Sequence, residues 1–138
     1  MISTACQEWL RFARMDMESA EFLLQQHRKK VEIILYHCQQ TAEKALKAYL
    51  VENNIWVGKI HDMGKLLQAC RNINKRFGGK RIVDHCVFLD QYSTNVKYPF
   101  HNLPVDSSHA HRGVNSAKRV YDYVNETLGL GCYFFKRL

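Results

Sequence analysis

The stretch from Asn95 to Asn102 carries the side chains of this sequence that could do the most chemistry. It reads Asn-Val-Lys-Tyr-Pro-Phe-His-Asn, and so combines a cation, two aromatic rings, an imidazole and an amide around one proline. Aromatic rings can stack on bases. A histidine beside a cation suits a ribonuclease, which moves protons at a 2'-hydroxyl and stabilises the charge of a phosphorane. The alternative is a proline-stiffened loop whose Tyr98 and Phe100 cover the core.

Basic residues elsewhere could add contacts to phosphate. The chain has 20 lysines and arginines against 13 aspartates and glutamates, a formal net charge of +7. This excess favours anionic partners, either nucleic acid or an acidic protein, without identifying one. The basic clusters are equally compatible with a merely solvated surface. They lie at Arg28–Lys30, at Lys75–Arg76 with Lys80–Arg81, and at Arg112, Lys118 and Arg119.

The spacing of the glycines and of the histidines does not match a P-loop or a metal-binding motif. A phosphate-binding P-loop needs four residues between its glycines and a hydroxyl after its lysine, whereas five residues separate Gly58 from Gly64 and Leu66 stands at the hydroxyl position. The histidines include no His-Glu-x-x-His motif, and His109 and His111 would point in different directions on a helix. We therefore expect no bound metal and no cofactor.

Helices must position these residues, because both prolines, Pro99 and Pro104, fall in one short stretch. Apolar residues recur at three- and four-residue steps on either side of it, and no alternating strand pattern competes. The fold class predicted is all-α, an antiparallel up-and-down bundle of about five helices forming a single domain over residues 1–138. The spacing predicts helices over about 5–27, from after Lys30 to about Asn53, from the cap Asp62 to before Gly78, over about 80–94, and from a cap among Asp106–Ser108 to before Gly129.

The cysteines and the C-terminal tail indicate the environment of the chain. The five cysteines are odd in number and include no Cys-x-x-Cys pair, so we expect reduced, mostly packed thiols. The tail Cys132–Leu138 is rich in aromatic residues, and we expect it to pack on the bundle or on a second subunit. No apolar run approaches about 18 residues and no signal-peptide pattern opens the chain, which predicts a cytoplasmic protein without a membrane span.

The second predicted helix contains the run Tyr36–Leu50, YHCQQTAEKALKAYL. This run resembles the second helix of the HEPN domain, the higher eukaryotes and prokaryotes nucleotide-binding family, with its similar Gln-Gln-x-Ala-Glu-Lys-Ala-x-Lys-Ala pattern. Trp9–Asp16 looks like the opening helix of that family, Ile60–Asp62 precedes its third helix, and Tyr98-Pro99 looks like its arginine-tyrosine-proline element. The run also has a physical explanation that does not depend on the resemblance, because Glu43 and Lys47 have the spacing of an ion pair that stabilises a helix.

The resemblance implies an antiparallel helical bundle, frequently dimeric, in a family whose members cut RNA or accompany a minimal nucleotidyltransferase as toxin and antitoxin. The ribonuclease signature of the family is an arginine followed, after four to six residues, by a histidine. This chain lacks that pair, because Lys97 replaces the loop arginine and only three residues separate it from His101, and Arg81 and His85 are likewise one residue too close. Lysine keeps the charge but loses the planar, two-pronged grip on phosphate.

The leading hypothesis is a homodimeric HEPN-like module, the accessory or toxin-like partner of a nucleotidyltransferase, that binds nucleotide or RNA without the usual ribonuclease motif. The expected binding residues are Lys97, Tyr98, His101, Asn102 and Arg112. A first alternative is a metal-independent endoribonuclease in which His101 is the acid or base and Lys97 stabilises charge. A second alternative is a protein interaction and dimerisation module that uses the aromatic tail and an exposed helix face.

Overall fold

The computed structural model describes residues 1–92 and 105–136, and these form an all-α bundle. Within these two ranges there are five α-helices, one short 3-10 helix between the third and the fourth, and no strand. The predicted fold class is therefore confirmed. The helices are α1 (Thr4–Gln26), α2 (Val31–Glu52), α3 (Met63–Ile73), α4 (Lys80–Asp90) and α5 (Ser107–Thr127), and the 3-10 helix is Lys75–Gly78.

Side-chain caps set where three of the helices begin. Asp62 accepts a hydrogen bond from the Lys65 amide at 3.0 Å and caps α3, as predicted. Asp106 caps α5, also within the predicted choice. Helix α1 begins at Thr4, one residue before the predicted start near residue 5, because the Ser3 hydroxyl caps it by accepting the Cys6 amide at 3.1 Å.

Helix ends agree less closely with the sequence pattern. Helix α4 ends at Asp90 and not near residue 94, and the chain turns at Gln91 and Tyr92 before leaving the described residues. Ile73 continues the apolar spacing of α3, which predicts that it is buried, but it is 39% exposed because it is the last residue of that helix. Helix α5 stops before Gly129, which has a φ of +82° that favours glycine.

Helix α2 is the centre of the bundle, since it packs against α1, α3, α4 and α5. Its side chains Leu35, Cys38 and Leu46 are fully buried. Helix α5 approaches α2 closely at Gly113, where a Cβ atom would come within 2.5 Å of a Leu35 methyl carbon. Glycine at this position therefore allows α5, which carries Arg112, to lie tightly against the core.

No disulfide links the five cysteines, and Cys6, Cys38, Cys70 and Cys86 are buried. Burial raises the pKa of the Cys86 thiol to about 12 and of the Cys6 thiol to about 11, so both are protonated at neutral pH. The expectation that the thiols are mostly packed is confirmed. None of the described helices is long and apolar enough to span a membrane.

The C-terminal segment Cys132–Lys136, which we call the strap, folds back onto α5 of its own protomer. The carboxylate of Asp122, 4% exposed, accepts the backbone amides of Tyr133 at 2.8 Å, Phe134 at 2.9 Å and Phe135 at 2.7 Å. The Phe134 ring packs edge-on against Tyr121 with centroids 5.3 Å apart. Of the two packing partners expected for the aromatic tail, the bundle itself is the one observed.

Candidate functional site

Arg112 is the predicted site residue that the structure describes. Lys97, Tyr98, His101 and Asn102 lie outside the described residues. Arg112 is exposed near the start of α5, and its guanidinium carbon lies 4.0 Å from the centroid of the Phe88 ring on α4. Because Phe88 is only 4% exposed, its ring is a fixed support beneath the guanidinium.

A groove of about 350 Å³ surrounds Arg112 between α4 and α5, and we call it the Arg112 groove. We call residues 93–104, which lie outside the described residues, the connector. Tyr92, the last described residue before the connector, lies in the wall of the groove, and so does His109, which comes after the connector in the chain. Described residues from both sides of the connector therefore line the groove. Its lining residues are Asp84, Val87, Phe88, Gln91, Tyr92, His109 and Arg112.

The N-terminus of α5 is already occupied by its own cap. The Asp106 carboxylate accepts the Ser108 amide at 2.9 Å and the Ser108 hydroxyl at 2.6 Å, and it lies 3.0 Å from Nδ1 of His109. The Ser108 and His109 hydrogen bonds lower the pKa of Asp106 to about 2, so the carboxylate stays ionised. The Ser108 and His109 amides of this helix end are therefore already hydrogen-bonded, and the cation in the groove wall is Arg112.

A second cavity lies further along the same two helices and has the strap as one wall; we call it the strap pocket. It has a volume of about 150 Å³. Arg81 and His85, one turn apart, enter it from α4, and Arg119 enters it from α5. The remaining lining residues are Ile82, Asp122, Tyr123, Glu126, Cys132 and Phe135.

His85 is held in place by α5. Its Nδ1 lies 2.8 Å from the hydroxyl of Ser116, which is 2% exposed. Burial lowers the pKa of His85, and the positive charge of Arg119 lowers it further. Arg81 and Arg112 act in the same direction, and only the Asp84 carboxylate opposes them. The lowered pKa keeps the imidazole neutral at pH 7, with arginines and carboxylates both in its surroundings.

The wall of the strap pocket is fixed by several contacts. The Arg119 guanidinium carbon lies 3.6 Å from the centroid of the Phe135 ring, while the Phe135 amide is bound by Asp122. The Tyr123 hydroxyl donates to the backbone carbonyl of Arg76 at 2.6 Å. Arg119 is thus held by packing, which reduces the conformational entropy that a ligand would have to restrict.

Sequence reasoning placed Arg81 and Arg119 in separate basic clusters and did not bring them together with His85 in one pocket. Arg81 and His85 were set aside because their spacing is too short for the ribonuclease signature, yet a spacing of four puts both on one helical face. Arg112, Ser116 and Arg119 follow each other at steps of four and three, which is also one face. The three- and four-residue spacing of these residues, which no sequence motif describes, is the signal that could have placed them on common helix faces.

Two charged residues of the Tyr36–Leu50 run on α2 belong to a separate polar cluster. Oε2 of Glu43 lies 3.1 Å from Nζ of Lys47 and 3.1 Å from Nδ1 of His61. The Lys47 ammonium also lies 5.2 Å from the centroid of the Trp9 ring. Glu43 and Lys47 are buried and are each other's ionic partner, whereas the His61 side chain is 66% exposed. Within residues 1–92 and 105–136, no group of three His, Cys, Asp or Glu side chains is arranged to hold a metal ion.

Comparison with known families gives these features a context. A family model of the HEPN domain matches residues 6–127, from α1 to the end of α5. The chain belongs to the HEPN family. HEPN domains are nucleotide-binding and ribonuclease-like modules, and the family match includes the Glu43–Lys47 pair and Arg112 but ends before the strap.

A solved structure supports the same fold. The crystal structure of an archaeal HEPN homologue superposes with a TM-score of 0.71 and 23% sequence identity. The alignment covers 91% of this chain and 99% of that chain. A comparison with curated proteins finds no match. The resemblance inferred from the α2 run is therefore confirmed at the level of family and fold.

Proposed function

We propose that this HEPN domain binds nucleotide or RNA phosphate in the Arg112 groove. Arg112 is its described cation, and Lys97, Tyr98, His101 and Asn102 are its expected partners from the connector. The observation that carries the proposal is the position of Arg112, exposed over the buried Phe88 ring in a groove that Tyr92 and His109 border on either side of the connector.

The chemistry of an arginine on an aromatic support suits phosphate. Stacking on Phe88 uses the face of the guanidinium and leaves the in-plane N–H donors available for two oxygens of one phosphate. The formal net charge of +7 adds attraction at a distance. Each phosphate contact releases counterions, which gives affinity without sequence preference.

Binding without cleavage is the version of this function that we favour. Among the described histidines near the groove, His85 is hydrogen-bonded to Ser116 and His109 lies against Asp106. Both imidazoles therefore already have structural partners. The alternative, an endoribonuclease with His101 as acid or base and Lys97 stabilising charge, rests on connector residues alone.

The proposed setting is a homodimer that acts beside a nucleotidyltransferase, as an accessory or toxin-like partner. The family membership supports this setting, because HEPN domains commonly dimerise. The alternative of a pure interaction module loses one of its supports, since Asp122 binds the strap, the segment expected to recognise another protein, within the protomer.

Fluorescence anisotropy with a labelled, unstructured RNA tests the binding proposal. We expect Arg112→Gln to weaken binding about tenfold, close to 1.4 kcal/mol, and to do so equally for unrelated RNA sequences. Arg28→Gln, the same change at an exposed site in the α1–α2 connection, is the matched control and should bind like wild type. Equal binding by wild type and Arg112→Gln would show that the groove is not the site.

The same samples test catalysis when they are run on a denaturing gel. Intact RNA after incubation with wild type supports a binding module. Cleavage by wild type that disappears in His101→Ala would instead establish the endoribonuclease alternative.

A further inference from the structure

We propose that the strap pocket is a second site, which binds the terminal phosphate of a nucleotide or of an RNA chain between Arg81 and Arg119. The identity of this ligand rests on the proposed function, but the pocket and its residues are distinct from the Arg112 groove. The strap that completes the pocket also lies beyond the part of the chain that matches the family model.

The positive charges of the pocket come from two helices. Arg81 and His85 lie one turn apart on α4, and Arg119 faces them from α5. A phosphate between the two guanidiniums could accept hydrogen bonds from both. The neutral His85 can donate one further hydrogen bond or accept a proton when an anion arrives, and Ser116 holds its ring.

The two acidic residues of the pocket already have donors. Both oxygens of Asp122 accept backbone amides of the strap, at distances of 2.7 to 3.1 Å. Oε1 of Glu126 accepts the Cys132 thiol at 2.6 Å. Both carboxylates line the pocket, so its lining carries two negative charges beside the two guanidiniums. The strap amides and the Cys132 thiol offset part of that negative charge, and the donors that a phosphate would meet are Arg81, Arg119 and His85.

The volume of the strap pocket limits how much of a ligand can enter it. Sites that enclose a whole small ligand usually measure about 300–1,000 Å³. The strap pocket is about half the lower limit, at about 150 Å³, which fits one phosphate group and not a complete nucleotide. The strap closes one side through Phe135 on Arg119. An internal phosphodiester carries the chain on both sides, whereas a terminal phosphomonoester carries it on one side and can enter a small pocket further, so we favour the chain end.

Matched ligands that differ only in the terminal phosphate test the site. One RNA sequence is prepared with a 5'-phosphate, with a 3'-phosphate and with neither, and adenosine monophosphate is titrated beside adenosine. We expect a terminal phosphate at one end to raise the affinity about tenfold over the unphosphorylated RNA, and adenosine monophosphate to bind where adenosine does not. The RNA and mononucleotide arms distinguish the two sources of the phosphate.

Arg119→Gln is the diagnostic variant, because Arg119 is exposed and its replacement should not unfold the bundle. We expect it to reduce the phosphorylated-to-unphosphorylated affinity ratio to about one, and Arg28→Gln to retain the wild-type ratio. Circular dichroism checks that both variants are folded. A ratio of one in wild type, or a preference that persists in Arg119→Gln, overturns the inference.

The outcomes separate this inference from the proposed function. If RNA binds with no preference for a phosphorylated end, the strap pocket is not a phosphate site although the Arg112 groove stands. If no RNA binds at all, the proposed function fails, and the mononucleotide titration decides the pocket alone. Adenosine monophosphate binding that Arg119→Gln abolishes then supports the pocket, and absence of binding to wild type overturns it.

Discussion

The Glu43 carboxylate and the Lys47 ammonium lie 3.1 Å apart, one turn apart on α2, with side chains only 3% and 2% exposed. Most helical ion pairs of this spacing are on the surface and contribute a few tenths of a kcal/mol. This pair is inside the bundle, where Gln39 donates to Glu43 at 3.3 Å and His61 approaches it from the segment before α3. The pair is thus buried on α2, where it meets Trp9 of α1 and His61 of the segment before α3.

Removal of one member of this pair should strongly destabilise the fold. Lys47→Met leaves the Glu43 carboxylate buried without the Lys47 ammonium, and we expect a loss of about 3–5 kcal/mol in the free energy of unfolding. The double variant Glu43→Gln with Lys47→Met removes both charges and should recover much of that loss. Urea unfolding followed by circular dichroism measures both.

The exposed pair Glu8 and Arg11 is the matched control for this prediction. Their atoms lie 2.9 Å apart with side chains about half exposed, and Glu8→Gln should cost under about 1 kcal/mol. Similar losses for Lys47→Met and Glu8→Gln would contradict the view that burial makes the α2 pair important.

The helices were predictable because their signals are local. The apolar spacing on α1 and α2, and the caps Asp62 and Asp106, follow from neighbouring residues, and the structure confirms them. The end of α4 at Asp90 was not predictable in the same way, since the pattern near residue 94 contains no helix-ending glycine. The burial of Lys47 was also missed, because a lysine on a helix is usually solvated.

The candidate sites were less predictable than the fold because they combine residues from different elements. The basic cluster of Arg112 and Arg119 was visible in the sequence, but the rings on which they stack, Phe88 and Phe135, come from α4 and the strap. Only tertiary packing brings such pairs together. The connector part of the site, at Lys97 and His101, stays a prediction.

Asp122 should be the residue that holds the strap on the bundle. Its two oxygens accept three consecutive backbone amides, so Asp122→Asn replaces one acceptor by a donor facing the amides of Tyr133–Phe135. We expect about 2 kcal/mol less protection of these amides, which corresponds to roughly thirtyfold faster hydrogen exchange. Hydrogen exchange by mass spectrometry measures it.

Glu18→Gln, an exposed change on α1 that also removes one negative charge, is the control for Asp122→Asn. It should leave exchange in the strap at the wild-type rate. If Asp122→Asn exchanges no faster than Glu18→Gln, the aromatic packing of Phe134 on Tyr121 holds the strap without the carboxylate.

The salt dependence of RNA binding should report the phosphate contact of Arg112. For single-stranded nucleic acid the slope of log K against log salt falls by about 0.7 for each phosphate contact that is lost. We therefore expect the slope of Arg112→Gln to be shallower than that of wild type by about that amount, and the slope of Arg28→Gln to be unchanged. An identical slope for wild type and Arg112→Gln would assign Arg112 a contact other than phosphate.

Protonation of His85 should destabilise the folded protein when the pH is lowered under about 6.5. Burial first, and then the nearby positive charges, lower its pKa in the folded state from the model-compound value of 6.5, while the unfolded chain keeps a value close to it. Between the two values the unfolded state binds more protons than the folded state. The contribution of His85 is thus complete above about pH 6.5 and is lost as the pH falls through the lowered folded-state pKa. The groups that set this pKa are Arg81 and Asp84 on α4 and Arg112 and Arg119 on α5.

Urea unfolding of wild type and His85→Gln from pH 7.5 down to pH 5 checks this dependence. Glutamine can keep a hydrogen bond to Ser116 but does not titrate, so His85→Gln should lose less stability than wild type over this range. The carboxylates of the chain titrate in both proteins, and their contribution cancels in the difference. If the two proteins lose the same stability over this range, the pKa of His85 is not lowered in the folded state. The prediction would then be wrong.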